Sequence, residues 1–88
     1  LVQHHGKYLS FNAGASVRLE GHADERGTRE YNVALAERRA QAVKQIMLYE
    51  GAGNDQISII SYGEEKPVAF GHDEESMSLN RRVEIVYQ

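Results

Sequence analysis

The 88-residue chain has no cysteine, no tryptophan, a single proline (Pro67) and no long apolar run. Without thiols there is no disulfide, no thiolate nucleophile and no cysteine-ligated zinc. No apolar stretch approaches the roughly 18–20 residues that a membrane-spanning helix needs, and the first residues lack the basic, apolar, small-residue order of a signal peptide. Positive charge is also scarce: ten Lys and Arg stand against thirteen Asp and Glu, a net charge of −3. That balance argues against a nucleic-acid binder that works by neutralising phosphates. The glycine-rich phosphate loop, the serine elbow and the His-Glu-x-x-His helix are all missing as well. What remains is ordinary globular composition, 41% hydrophobic and 26% charged. A chain this short holds one core and buries about 60–65% of its extended surface, so residues 1–88 read as one domain with a thin stability margin.

The hydrophobic pattern divides the chain into six elements. Leu1, His5, Tyr8 and Leu9 recur at helical spacing up to Asn12-Ala13-Gly14, and Gly6 inside this helix lowers its propensity by roughly 1 kcal/mol. Ser16 to Gly21 alternates, Val17 and Leu19 against Arg18 and Glu20, as a half-buried strand does. A polar loop from His22 to Gly27 leads to Thr28, an N-cap, with Glu30 in the first turn of a helix running to about Glu50. Val33, Ala36, Ala40, Val43 and Met47 form its core stripe, and Gly51 and Gly53 end it. A β-rich run from Gln56 to Gly63, a short helix over Asp73 to Leu79 and an alternating strand from Arg82 to Tyr87 complete the order α-β-α-β-(α)-β. Two strand–helix–strand crossings predict an α+β fold, an α/β sandwich with helices on one face of a mixed sheet.

Titratable residues crowd His22 to Glu30, Glu37 to Arg39 and His72 to Arg82. His22, Asp24, His72 and Asp73 offer acid, base or metal ligands, but a His-x-Asp pair is a weak signal, and hydrogen-bonded loop histidines are the commoner outcome. No catalytic residue, metal or cofactor is therefore expected. His4 and His5 read as helix surface. Arg38 falls on the solvent side of the long helix, whereas Arg39 borders its core stripe, in line with Leu35, Ala42 and Ile46. There its stem lies along apolar surface with the guanidinium at a groove edge. Two readings stay open for it: an intramolecular pair with Asp24, Glu20 or Glu84, or a planar fork kept for a ligand carboxylate.

The motif Gly21-His22-Ala23-Asp24-Glu25-Arg26-Gly27-Thr28, followed by Tyr31-Asn32, Ala34-Leu35 and Glu37-Arg38-Arg39-Ala40, closely resembles the OmpA-like peptidoglycan-binding domain. Ser61 to Pro67, Gly71 to Glu74 and Asn80-Arg81-Arg82-Val83 extend the likeness over about Ser16 to Tyr87. Within the family, the Asp24 to Thr28 and Gly71 to Glu74 wording is most like that of the peptidoglycan-associated lipoproteins. The resemblance implies non-covalent binding of the diaminopimelate residue of the peptidoglycan stem peptide, with no enzymatic step. By position in the motif, Asp24 takes the ligand's ammonium and Arg39 its carboxylate, with Asn32 and Arg81 lining the same site. His22, Ala23 and Leu35 are further candidate lining residues.

The resemblance also implies a place in the cell: the periplasmic face of the outer membrane, within the Tol-Pal system, with a TolB-like periplasmic partner. The loops Asp24 to Glu30 and Glu64 to Glu75 are candidate contacts for that partner. Membrane attachment would come only through a lipid anchor upstream, where the family's first β-strand and the loop after it are also expected. Alternative parents are an OmpA-type porin or a flagellar stator protein; the alternative role is mainly that of a protein-interaction module. The residues agree with a diaminopimelate site, since an ammonium and a carboxylate on one carbon call for one anion and one guanidinium that do not neutralise each other.

Overall fold

A computed structural model describes residues 2–88. Leu1, the first residue of the expected first helix, lies outside the described residues. The elements in chain order are α1 (Val2–Phe11), β1 (Val17–His22), α2 (Arg29–Tyr49), β2 (Ile57–Gly63), α3 (Glu74–Asn80) and β3 (Val83–Tyr87). A short 3-10 turn, Asn54–Gln56, precedes β2. The expected α-β-α-β-α-β order is therefore present, with boundaries shifted by a residue or two.

The three strands form one mixed sheet in the order β2-β1-β3, with β1 central, parallel to β2 and antiparallel to β3. The parallel pair needs a long connection, and α2 supplies it across one face of the sheet. Thr28 caps α2 as the sequence suggests, its Oγ1 accepting from the Tyr31 amide at 3.1 Å. Asp73 does the same for α3, accepting from the Ser76 amide at 3.0 Å. On α2 the buried stripe is Ala36, Ala40 and Met47, with Val33 and Val43 half-buried beside it. Ala40 and Met47, with Val43 packed beside them, meet Val17 and Leu19 of β1, Ile57 of β2 and Leu9 of α1 in one core. No helix among the described residues is long and apolar enough to cross a membrane.

Two glycines set how closely the layers approach. A Cβ at Gly21 would lie 2.2 Å from the Ala36 carbonyl oxygen, so α2 rests directly on the end of β1. A Cβ at Gly6 would lie 3.0 Å from Met47 Cα and 2.9 Å from Glu50 Cβ. The propensity cost read from the sequence at Gly6 is thus offset by contact, because only glycine lets α1 lie this close to α2. His5 also differs from its surface reading: its Nδ1 sits 2.7 Å from the Tyr87 hydroxyl, tying α1 to β3.

Gln56 closes the bottom of the structure. Its buried Nε2 donates to the carbonyls of Leu9, Asn12 and Ala15 at 2.9–3.0 Å. Its Oε1 accepts from the Gly53 amide at 2.7 Å. One side chain thereby binds the chain together where α1 ends and the link to β1 begins, adding to the backbone bonds that the Leu9 and Asn12 carbonyls already accept.

Candidate functional site

The C-terminal end of β1 and the loop after it, next to the start of α2, carry the residues singled out by sequence. Gly21 anchors the strand against α2, and the Ala23 amide donates to the Gly63 carbonyl at 2.8 Å, so Asp24 enters the loop from a fixed backbone. Asp24 is 6% exposed. Its Oδ1 accepts from the Arg26 amide at 3.0 Å. Its Oδ2 accepts from Arg26 Nε and Nη2 at 3.2 and 2.7 Å and from Arg81 Nη1 at 2.8 Å. The Arg26 side chain, then Arg81 and the Arg26 amide, hold the carboxyl well below the usual carboxylate range, against the opposing effect of burial.

Arg81, the first arginine after α3, therefore meets Asp24, as the motif implied. Arg26 was not among the expected site residues. Its position two residues after an aspartate, in a turn, was the signal, since side chains at that spacing fold back on a loop carboxylate. Glu74 of α3 completes the cluster, 2.6 Å from Arg81 Nη2 and 3.3 Å from Arg26 Nη1.

Asn32, on the first turns of α2, is almost fully buried, and its Nδ2 donates to Glu64 Oε1 at 2.8 Å. Arg39 is half-buried two turns further along, and its Nη1 donates to the His22 carbonyl at 3.1 Å. Among the described residues no carboxylate lies within ion-pairing distance of Arg39. The intramolecular pair with Asp24, Glu20 or Glu84 does not form; the guanidinium is tethered to backbone instead. Leu35 lies half-buried on the same helix.

His22 needs a correction as a lining residue. Gly21 faces α2, so the next side chain on the strand points to the other face of the sheet. There the imidazole stacks on Tyr62, centroids 5.4 Å apart. Only the carbonyl of His22 belongs to the site. His72 and Asp73 do not pair with each other: His72 is a loop histidine in contact with Glu25 at 2.5 Å, while Asp73 caps α3.

A cleft of ≈ 220 Å³ is lined by Ala23, Glu25, Glu64, Phe70, His72 and Asn80, among others; Asp24, Asn32, Arg39 and Arg81 are not among its lining residues. Asn80 shapes its wall, with Oδ1 accepting from the Val68 and Ala69 amides at 2.8 and 3.2 Å and Nδ2 donating to the Ala69 carbonyl at 2.9 Å. Together these residues present a buried carboxylate already paired with two guanidiniums, and a separate guanidinium, that of Arg39, tethered to backbone with no carboxylate in ion-pairing distance among the described residues.

Residues 1–81 match the OmpA family model. The chain belongs to the OmpA family. Among relatives, the peptidoglycan-associated lipoprotein of Legionella pneumophila is 51% identical over 87 residues, which is 99% of this chain and 49% of that protein. The peptidoglycan-associated lipoprotein of Pseudomonas aeruginosa is 56% identical over 81 residues, 92% of this chain and 48% of that protein. The chain spans about half the length of the relatives it matches. The crystal structure of the peptidoglycan-associated lipoprotein from Burkholderia pseudomallei superposes with a TM-score of 0.96 at 46% identity, covering 99% of this chain and 74% of that one. The C-terminal domain of Helicobacter pylori MotB does so with a TM-score of 0.87 at 25% identity, covering 99% and 68%. This OmpA-family α+β fold is shared across both groups. The relatives named here carry the name of a lipoprotein associated with peptidoglycan, not that of an enzyme.

Proposed function

We propose that this OmpA-like domain binds peptidoglycan without cleaving it, through the diaminopimelate of the stem peptide. Asp24 takes the ligand's ammonium, Arg39 its carboxylate, and Asn32 and Arg81 line the site. The observation that carries this reading is Arg39. A half-buried guanidinium held on the His22 carbonyl, with no carboxylate of its own, is prepared for an anionic ligand two residues along the chain from a buried anion. Charge-assisted, bidentate pairing is what a guanidinium offers a carboxylate. The names and identities of the relatives support a Pal-type parent over a flagellar stator, 51–56% against 25%. That parent would be lipid-anchored at the periplasmic face of the outer membrane and tie it to the cell wall within a Tol-Pal assembly. A TolB-like partner would meet the loop between β2 and α3, where Val68 and Phe70 expose apolar side chains.

The ligand is tested by calorimetry with two stem peptides. A lysine-type peptide presents an ammonium with no carboxylate beside it, so Arg39 would face nothing while keeping its desolvation cost. Discrimination of at least about tenfold, roughly 1.4 kcal/mol, is expected in favour of diaminopimelate. It should shrink in Arg39→Ala, which should also lose retention on purified sacculi. Equal affinity for both peptides in the wild type would refute the role of Arg39, and release of muropeptide fragments would refute binding without cleavage.

A further inference from the structure

Residues 18, 20 and 22 of β1 point away from α2, on the opposite face of the sheet from Val17, Leu19 and Gly21. On this face the antiparallel register sets Glu84 of β3 directly across from Glu20. Like charges in that relation repel. Each is held by an arginine two residues before it: Arg18 Nε donates to Glu20 Oε2 at 2.8 Å, and Arg82 Nε to Glu84 Oε2 at 2.7 Å. Beside the two carboxylates sits His22, only 2% exposed, yet neither ring nitrogen has a hydrogen-bond partner among the described residues. Buried polar atoms are nearly always satisfied, so an orphaned imidazole calls for an explanation. Its Nε2 is aimed at the carboxylates, 3.4 Å from Glu84 Oε2 but without hydrogen-bond geometry. One donor atom from each of Glu20, His22 and Glu84 lies within 4.8 Å of the others.

We propose that Glu20, His22 and Glu84 form a binding site for a divalent cation of the zinc class. One imidazole nitrogen and two carboxylate oxygens suit zinc, cobalt or nickel, whereas magnesium and calcium prefer six or more oxygens. Tetrahedral ligands about 2.1 Å from a metal stand about 3.4 Å apart. The His22 Nε2–Glu84 Oε2 separation of 3.4 Å already matches this, and the three ligand atoms all lie within 4.8 Å of one another. The cation would give the imidazole a partner and would offset what remains of the Glu20–Glu84 repulsion beyond their arginine pairs. Arg18 binds Glu20 through Oε2, which leaves Oε1 for the cation, whereas Glu84 Oε2 would be shared between Arg82 and the cation. Three protein ligands leave one coordination position for water. The site faces away from α2 and does not depend on the peptidoglycan reading.

The test is a calorimetric titration of Zn(II) into metal-free protein in which His4, His5 and His72 are replaced by glutamine, leaving His22 as the remaining one of the four histidines. One equivalent is expected to bind, with a shift of the His22 ring nitrogens in the long-range ¹H–¹⁵N spectrum. Glu84→Gln and Glu20→Gln should each weaken binding at least about tenfold. The Glu84 side chain is 44% exposed, so that variant should keep the fold, as circular dichroism would verify, even if His22→Gln does not. Absence of binding to the triple-glutamine protein, or unchanged affinity in both glutamate variants, would overturn the site.

Discussion

Replacing Asp24 with asparagine separates what this residue does for the fold from what it does for a ligand. The carboxylate is 7% exposed and accepts four hydrogen bonds, three from Arg26 and one from Arg81. Hydrogen bonds to charged groups contribute about 1.5–3 kcal/mol each when well shielded. The guanidinium ends are less shielded, at 57% exposure for Arg26 and 27% for Arg81, and both also reach Glu74. Solvent screening therefore discounts the ion-pair part. Asparagine keeps an oxygen for the Arg26 amide but loses the charge that holds two cations. A loss of about 2 kcal/mol results, equivalent to roughly 8–16 °C in melting temperature for a domain of this size. Urea denaturation at pH 7 measures it. Because the folded pKa of Asp24 is depressed, its contribution is complete above the unfolded value of about 4 and is lost as pH falls through the folded value. The gap between wild type and Asp24→Asn must then narrow in acid. Equal stability at pH 7, or a gap that stays constant down to pH about 2.5, would show that the two guanidiniums are held by water and Glu74 rather than by Asp24. Peptidoglycan binding compared well below both melting temperatures then reports the ligand contact alone.

Gln56→Leu should remove the side-chain partner of the Leu9, Asn12 and Ala15 carbonyls and of the Gly53 amide that precedes β2, costing about 2–4 kcal/mol. Amide exchange should show α1 loosened first; a cost below about 1 kcal/mol would mean that water replaces the side chain. The His72 imidazole, raised in pKa by the hydrogen bond and charge of Glu25, should titrate by NMR above its ordinary value and return to it in Glu25→Gln. The sign of the linkage follows: the added stability is present below the unfolded pKa and fades as pH rises through the folded one. A midpoint that ignores the Glu25 substitution would show that the contact is not made in solution.

Elements governed by local pattern were readable in the sequence. The alternation of Val17 and Leu19, the Thr28 cap and the Ala36-Ala40-Met47 stripe each state their structure within a few residues. Features that depend on a partner distant in sequence were not. Gly6 reads as a helix defect until α2 is seen packed against it, and Gln56 reads as a strand opening until three carbonyls of the preceding segment are found around its amide. The candidate site divides in the same way. Motif order brought Asp24 and Arg81 to one place, but only the fold shows that Arg26 shares that carboxylate. Whether Arg39 was ion-paired could not be decided from helical periodicity, because that places Arg39 on a border without stating which strand end it meets. The Glu20–His22–Glu84 cluster was invisible for the same reason: its ligands come from two strands far apart in the chain, and only their register sets them face to face.

The tether on Arg39 makes a conservative substitution informative. Of the five N–H donors of a guanidinium, one is committed to the His22 carbonyl at 3.1 Å. The rigid plane then fixes where the remaining donors point, so a ligand carboxylate meets a fork that is already oriented. Lysine keeps the positive charge but has a single nitrogen on a flexible stem. Its three donors radiate from that one atom, so it can touch the His22 carbonyl and the ligand together but cannot present two parallel donors to a carboxylate. If net charge were all that mattered, Arg39→Lys would bind as the wild type does. If the oriented fork matters, Arg39→Lys should weaken diaminopimelate peptide binding at least about tenfold, close to the effect of Arg39→Ala. Stability should change little, since the single neutral-acceptor bond to His22 is worth only about 0.5–1.5 kcal/mol, or somewhat more because the donor is charged. Calorimetry on the wild type and both variants gives the three affinities, and urea melts give the control. Wild-type affinity in Arg39→Lys would reduce Arg39 to a source of positive potential and remove the reason for its tether.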